Sequence, residues 1–241
     1  MTRPVGPQPD VAWGMADRDT FSGFPREGLE FLTTLGTKDK TWFDANRSTY
    51  EQAVVGPTKA FVAVLGERLA EEISPGIVAQ PKTNGSIAPI NNDLRFSPDR
   101  PPYKDHLLLK FWDGDNKKTA PTLWVRISEA DVGFASGAPI PSVERWRELV
   151  ADESTGGELA AILTELGRGR KLDVAGQDYK KVPSPYDENH PRADLLRHKQ
   201  GIQARWPEPT PASVTRASFV DWCMKRLLAC VGLHHWFTAN L

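Results

Sequence analysis

The chain has 241 residues, 39% of them hydrophobic, enough to bury a sizeable core in one large domain. Thirty Lys and Arg against 31 Asp and Glu leave a formal charge of −1, so no overall field draws in nucleic acid or a membrane surface, and any anion site has to be local. There is no run of about 18 apolar residues, and the N-terminus lacks the basic, apolar, small-residue order of a signal peptide, which points to a cytoplasmic protein with no membrane partner.

Residues 1–20 hold Pro4, Pro7 and Pro9 and no apolar periodicity, and they read as a disordered leader with Met15 as a second candidate start. Residues 21–241 read as a single α+β domain. A first helix begins near Pro25, carries Leu29, Phe31, Leu32 and Leu35 at helical spacing, and stops at Gly36. Thr41 is the expected cap of a second helix, WFDANRSTYEQAVV, ended by Gly56. Pro57 opens a third, with Phe61, Val64, Leu65, Leu69 and Ile73 along one stripe. After an extended, proline-interrupted stretch from 77 come three strand-like runs, HLLLKFW, TLWVRIS and ADVGFAS. Their short connections make them antiparallel neighbours, a meander with helices packed on one face.

Alternation puts Leu107, Leu109 and Phe111 with Leu123, Val125 and Ile127 on a core face, and His106, Lys110, Trp112, Trp124 and Arg126 on the other. Beyond the meander, SVERWRELV and GELAAILTELG predict short amphipathic helices, RKLDVAG and GIQARWP strands, and PRADLLRHK a helix capped by Asn189. A last long helix starts near Ser213, with Phe219, Cys223, Leu227 and Cys230 on one face. The two cysteines sit about 10 Å apart along such a helix, too far for a bridge, and read as reduced core residues.

The chemistry concentrates in NNDLRFSPDRPPYKDH, residues 91–106. Pro98, Pro101 and Pro102 fix the backbone, so the charged side chains around them lose little entropy on binding. Arg95, Arg100 and Lys104, joined by Lys110 from the adjacent strand, suit a phosphate or carboxylate. Asp93 would orient Arg95, while Tyr103 and His106 are the candidate proton donors or acceptors, giving Tyr103, His106 and Asp93 the catalytic roles if there is a reaction. The competing reading is a structural loop in which aspartates pair with arginines and Phe96 and Tyr103 plug the core.

These residues also carry a resemblance. Asp93, Arg95, Phe96, Asp99 and Tyr103, with GFPREGLEFL, WFDANRSTYE, PYK, DYKKVP and HPRADLLRHK, resemble the bacterial family called domain of unknown function 2461 over nearly all of residues 20–237. The resemblance implies an α+β fold and no established activity. Arg100 stands where the family has lysine, and the family's first two hallmark arginines fall on Pro89 and Asn92. If those arginines serve a site in relatives, then either the ligand differs here or the site is a structural remnant.

Two further constellations stand apart from the loop. On the mixed sheet face, Trp112 and Trp124 with Lys110 and Arg126 have the makings of a stacking platform, which would make the protein a nucleic-acid-associated module. Asp187, Glu188, His190 and Asp194 have ligand chemistry, but no second histidine stands at ligand spacing, and capping explains the acids. No metal and no cofactor follows from the sequence, since Walker, dinucleotide, serine-elbow and paired-cysteine motifs are all missing. The reading that emerges is a small anionic ligand held by the 91–106 loop and the adjoining strands, with a nucleic-acid module or an interaction protein as alternatives.

Overall fold

The computed structural model describes residues 21–95 and 99–241, so the expected leader, Met15, Phe96 and Pro98 lie outside it. Helix α1 (Arg26–Leu35) buries Leu29, Phe31, Leu32 and Leu35. Gly36 ends it with helical dihedrals, φ −56°, so the absent side chain serves close approach: a Cβ there would lie 2.8 Å from the Cβ of Asp105. Helix α2 (Lys40–Ala45) is capped by Asp39, whose Oδ1 accepts the Trp42 N–H at 2.9 Å, and the expected cap Thr41 falls inside the first turn instead.

The stop expected at Gly56 does not occur. A short α3 (Arg47–Thr49) leads into a π-helical stretch, Tyr50–Val55, which runs on into α4 (Gly56–Glu72). Pro57 has no N–H to donate, and its ring crowds the carbonyl four residues back, that of Ala53. The wider π turn accommodates both effects. The Ala53 carbonyl then approaches α1 so closely that a Cβ on Gly28 would sit 2.2 Å from it. Along α4, Phe61, Leu65 and Leu69 are fully buried, and Ile73 is buried just beyond its end.

Six strands form one antiparallel sheet: β1 (Ile77–Val78), β2 (Leu107–Asp113), β3 (Thr122–Ile127), β4 (Asp131–Pro139), β5 (Asp173–Gln177) and β6 (His198–Pro209), in the order β1-β2-β3-β4-β6-β5. The fold is α+β, and the meander of β2, β3 and β4 is the one the alternation predicts. Leu107, Leu109, Phe111, Leu123, Val125, Ile127, Val132, Phe134, Ile202 and Trp206 are buried on the inner face. Against that face pack α4, α8 (Phe219–Leu227) and α9 (Val231–Asn240), with Phe134 in ring contact with Trp222 of α8. Gly66 of α4 brings this helix onto the sheet edge, since a Cβ there would lie 2.1 Å from Ala79 and 3.7 Å from the Phe111 ring.

Between β4 and β5 lie α5 (Val143–Ala151), capped by the Ser142 hydroxyl, and α6 (Thr155–Gly167). The helix expected over 191–199 shrinks to α7 (Ala193–Leu196), because His198 already enters β6, whose register with β4 is unbroken from Asp131↔Pro209 to Pro139↔Gly201. Arg192, in that tract, caps α5 from outside by donating to the carbonyls of Val150 at 2.6 Å and Ala151 at 2.9 Å. The expected single C-terminal helix is broken into α8 and α9 by a 3-10 turn at Leu228–Cys230. Cys223 and Cys230 are buried free thiols, with burial pushing the latter up to about 12. No helix among the described residues is long and apolar enough to cross a membrane.

Two histidines are locked into this framework. His198 is fully buried against the Asp194 and Leu195 carbonyls, each 3.2 Å from its Nδ1, and His234 is fully buried with Nε2 at 2.9 Å from Asp113. Burial holds both imidazoles below the ordinary histidine value, in His234 despite the neighbouring carboxylate. Both are therefore neutral at pH 7, with His234 donating its Nε2–H to Asp113. The unfolded chain takes up these protons at roughly pH 6.5, the folded one only lower, so stability is retained above that value and lost as pH falls from it through the lowered values. The melting midpoint should drop between about pH 7 and pH 5.5, before carboxylates titrate. A midpoint constant over that interval would contradict the neutral burial of both rings.

Candidate functional site

The 91–106 tract folds as the end of an irregular hairpin. Lys110 N–H bonds the Ser86 carbonyl, Ala88 N–H that of Leu108, Lys104 N–H that of Ile90 and Asn92 N–H that of Pro102, each at 2.9 Å. Two side chains fasten it near the tip. Asn92 donates its amide to the Pro101 carbonyl at 2.9 Å and the Tyr103 carbonyl at 3.0 Å, spending both of its N–H groups. Lys104 reaches across to the carbonyls of Pro89 at 2.6 Å and Asn91 at 2.5 Å. Burial lowers its pKa, yet one ammonium hydrogen remains for another acceptor. Tyr103 is buried, its ring packed on Phe43 with centroids 4.9 Å apart, and its phenol is raised by burial and by Asp44, so it stays protonated as a donor.

Between this hairpin and the end of α1 lies a cleft of about 350 Å³, lined by Thr33, Gly36 and Thr37 on one side and by Asn92, Arg100, Pro101, Tyr103, Lys104, Asp105 and His106 on the other. The absent side chain of Gly36 lets the two walls meet at Asp105. Arg100 is exposed and makes no hydrogen bond or ion pair with the described residues.

His106 stands opposite in chemical character. Its Nδ1 lies 2.6 Å from Asp105 Oδ1, and Asp105 in turn lies 3.8 Å from the Arg126 guanidinium. Burial holds the imidazole below its ordinary value; Asp105 opposes the shift and Arg126 adds to it. At pH 7 the ring is thus neutral, with Nδ1–H donated to Asp105 and the Nε2 lone pair left as an acceptor, the tautomer a general base requires. Arg126 itself is held by Asp131 across the β3–β4 turn, where Ser128 also donates to Asp131 at 2.9 Å.

Arg100, Lys104, Tyr103 and His106 therefore meet in one cleft, and the other expected site residues do not line it. Asp93 and Arg95 pair with each other at the hairpin tip, Nε to Oδ1 at 3.0 Å and Nη2 to Oδ2 at 2.6 Å. That pairing holds the Asp93 carboxyl down to about 2, where it is a poor base. Lys110 lies half-buried on the outer sheet face beside its β3 partner Trp124, its pKa lowered by burial and by Lys117. Trp112 is only 3% exposed and has no ring face to offer a base. Arg126 does not line the cleft; it lies 3.8 Å from Asp105 and acts on His106 by its charge. Near the C-terminal tract, Asp187 and His190 accept backbone N–H bonds from Asn189 and Arg192, and Asp194 pairs with Arg197.

The family model of the conserved hypothetical protein DUF2461 matches residues 27–236. The chain belongs to that family. No curated protein matches it. Every residue of the cleft lies within the DUF2461 match, as do Pro89 and Asn92, which both help fasten the hairpin: the Pro89 carbonyl receives Lys104, and Asn92 bonds two carbonyls. Thr33, Thr37 and Asp105 were not among the residues picked out for the site. Asp105 had the signal of adjacency to His106, whereas the two threonines arrive through a tertiary contact that leaves no mark in the local pattern.

If the side-chain clamps hold the hairpin, Asn92→Ala and Lys104→Met should each destabilise it by about 1 kcal/mol, the usual net worth of such bonds, and speed hydrogen exchange at the Lys104 amide. Exchange unchanged in both variants would mean that the backbone ladder alone suffices.

Proposed function

We propose that the protein binds a small phosphate- or carboxylate-bearing ligand in the cleft between the 91–106 hairpin and the end of α1. The observation that supports this most directly is an exposed arginine without a hydrogen-bond or ion-pair partner among the described residues, Arg100, sharing a cleft with the imidazole of His106. Arg100 supplies paired N–H donors, and the remaining ammonium hydrogen of Lys104 supplies a second charged contact. A cleft of about 350 Å³ is at the small end of ligand sites, which favours a compact anion over a nucleotide. The Asp105–His106 pair adds a group able to take a proton from the ligand at neutral pH. The reading sets the protein in the cytoplasm, in keeping with its two unpaired thiols.

Calorimetric titration with inorganic phosphate and with acetate tests it, comparing the native chain with Arg100→Ala. Removing a charge-assisted contact of ~1.5–3 kcal/mol should weaken binding about tenfold or more. The melting midpoint should hardly move, because Arg100 is exposed and makes no hydrogen bond or ion pair with the described residues. Equal affinity in the two proteins, or no binding of either anion, would sink the proposal.

A further inference from the structure

A second cleft, of about 720 Å³, opens elsewhere on the molecule, between the turn after α6 and the last residues of β6. Arg168, Gly169, Arg170 and Lys171 form one wall, Trp206 to Pro209 the other, and Ala130 and Asp131 of the β3–β4 turn close one end. Its charge balance is lopsided in a way that the count of residues hides. Both acids on its lining are neutralised by arginines from outside it: Asp131 by Arg126, and Glu208 by Arg226 at 2.9 Å, with the Trp206 indole N–H also on Glu208 at 3.3 Å. Among the described residues, the three cations of the turn meet no acid beyond the neighbouring Glu165. Arg168 pairs, among the described residues, only with Glu165 of α6, both of them well exposed at 73% and 67%, an arrangement worth little in water. Lys171 is exposed and makes no hydrogen bond or ion pair with the described residues.

Arg170 is fixed in advance. Its guanidinium lies over the Trp206 ring, 5.3 Å from the centroid, and Nη1 donates to the Leu166 carbonyl at 2.9 Å. A bound anion therefore meets an oriented donor with little rotamer entropy left to lose. Pro207 and Pro209, also on the lining, are exposed and apolar, offering a rigid surface to a ring or short hydrocarbon body at the strand edge. The volume is about twice that of the first cleft and falls within the range that takes drug-sized molecules.

We infer that this second cleft is a binding site for an organic phosphate, with the phosphate on Arg168, Arg170 and Lys171 and the apolar body against Pro207 and Pro209. The site is independent of the one proposed above, sharing no residue with it.

The test is a nitrogen-15 NMR titration of the full chain with phenyl phosphate and, separately, with inorganic phosphate. Phenyl phosphate should shift the amides of Gly169 and Lys171 and the Trp206 indole signal, and it should bind more tightly than inorganic phosphate. In an Arg168→Ala, Lys171→Ala double variant, which alters only exposed side chains, its affinity should fall at least tenfold. Arg100→Ala should leave these shifts untouched, so that failure of the first cleft and of the second are told apart. The inference is overturned if the 168–171 amides do not respond, if the double variant binds as well as the native chain, or if inorganic phosphate binds equally tightly.

Discussion

Side-chain alternation along β2, β3, β4 and β6 assigns the large apolar residues to one face of the sheet, and the placement of the helices follows from it. With Leu109, Phe111, Leu123, Val125 and Phe134 needing cover on the same side, α4, α8 and α9 have one surface on which to pack. A shift of register by one residue would turn those side chains into water, which is why the long β4–β6 pairing takes precedence over local helix signals such as the one beginning at Pro191. The outer face is left to Lys110, Trp124 and Arg126, and at its end the first cleft forms.

Besides Asp105, which holds His106, three uses of charge stand out in the 91–106 tract. Asp93 and Arg95 satisfy each other at the tip, Lys104 is turned onto backbone carbonyls, and Arg100 faces outward into the cleft. Of the two readings of the loop from sequence, the scaffold one thus fits Asp93, Arg95 and Lys104, and the proposed site rests on Arg100. Arg126 has a linking position, bonded to Asp131 at the edge of the second cleft and 3.8 Å from Asp105 in the first. It bears on His106 through Asp105, and the imidazole feels its charge directly as well.

Much of this was legible in the sequence where one physical signal ran unopposed. The strand faces followed from period-two alternation, the existence of α5 from its amphipathic run, and the end of α1 from the place of Gly36 after its last apolar residue, where the missing side chain also admits Asp105. The misses came where tertiary demands outweighed local chemistry. Gly56 and Pro57 look like a break, yet a π turn carries the helix through them. Trp112 sits on the outer face, yet it is buried all the same. In the cleft, proximity in sequence brought Arg100 to His106 into view, while Thr33 and Thr37 depended on α1 docking against the hairpin, which no spacing encodes.

The most direct measurement is the pH titration of the His106 ring by NMR, with and without inorganic phosphate. Without the anion, the ring should titrate below roughly 6.5, the ordinary histidine value, with the proton of the neutral form on Nδ1. With phosphate bound beside it, the charged ring is favoured and the apparent pKa should rise, an effect that Arg100→Ala should remove. A His106 titration that is indifferent to phosphate, or a neutral ring protonated on Nε2, would contradict the account of this cleft as an anion site with a poised base.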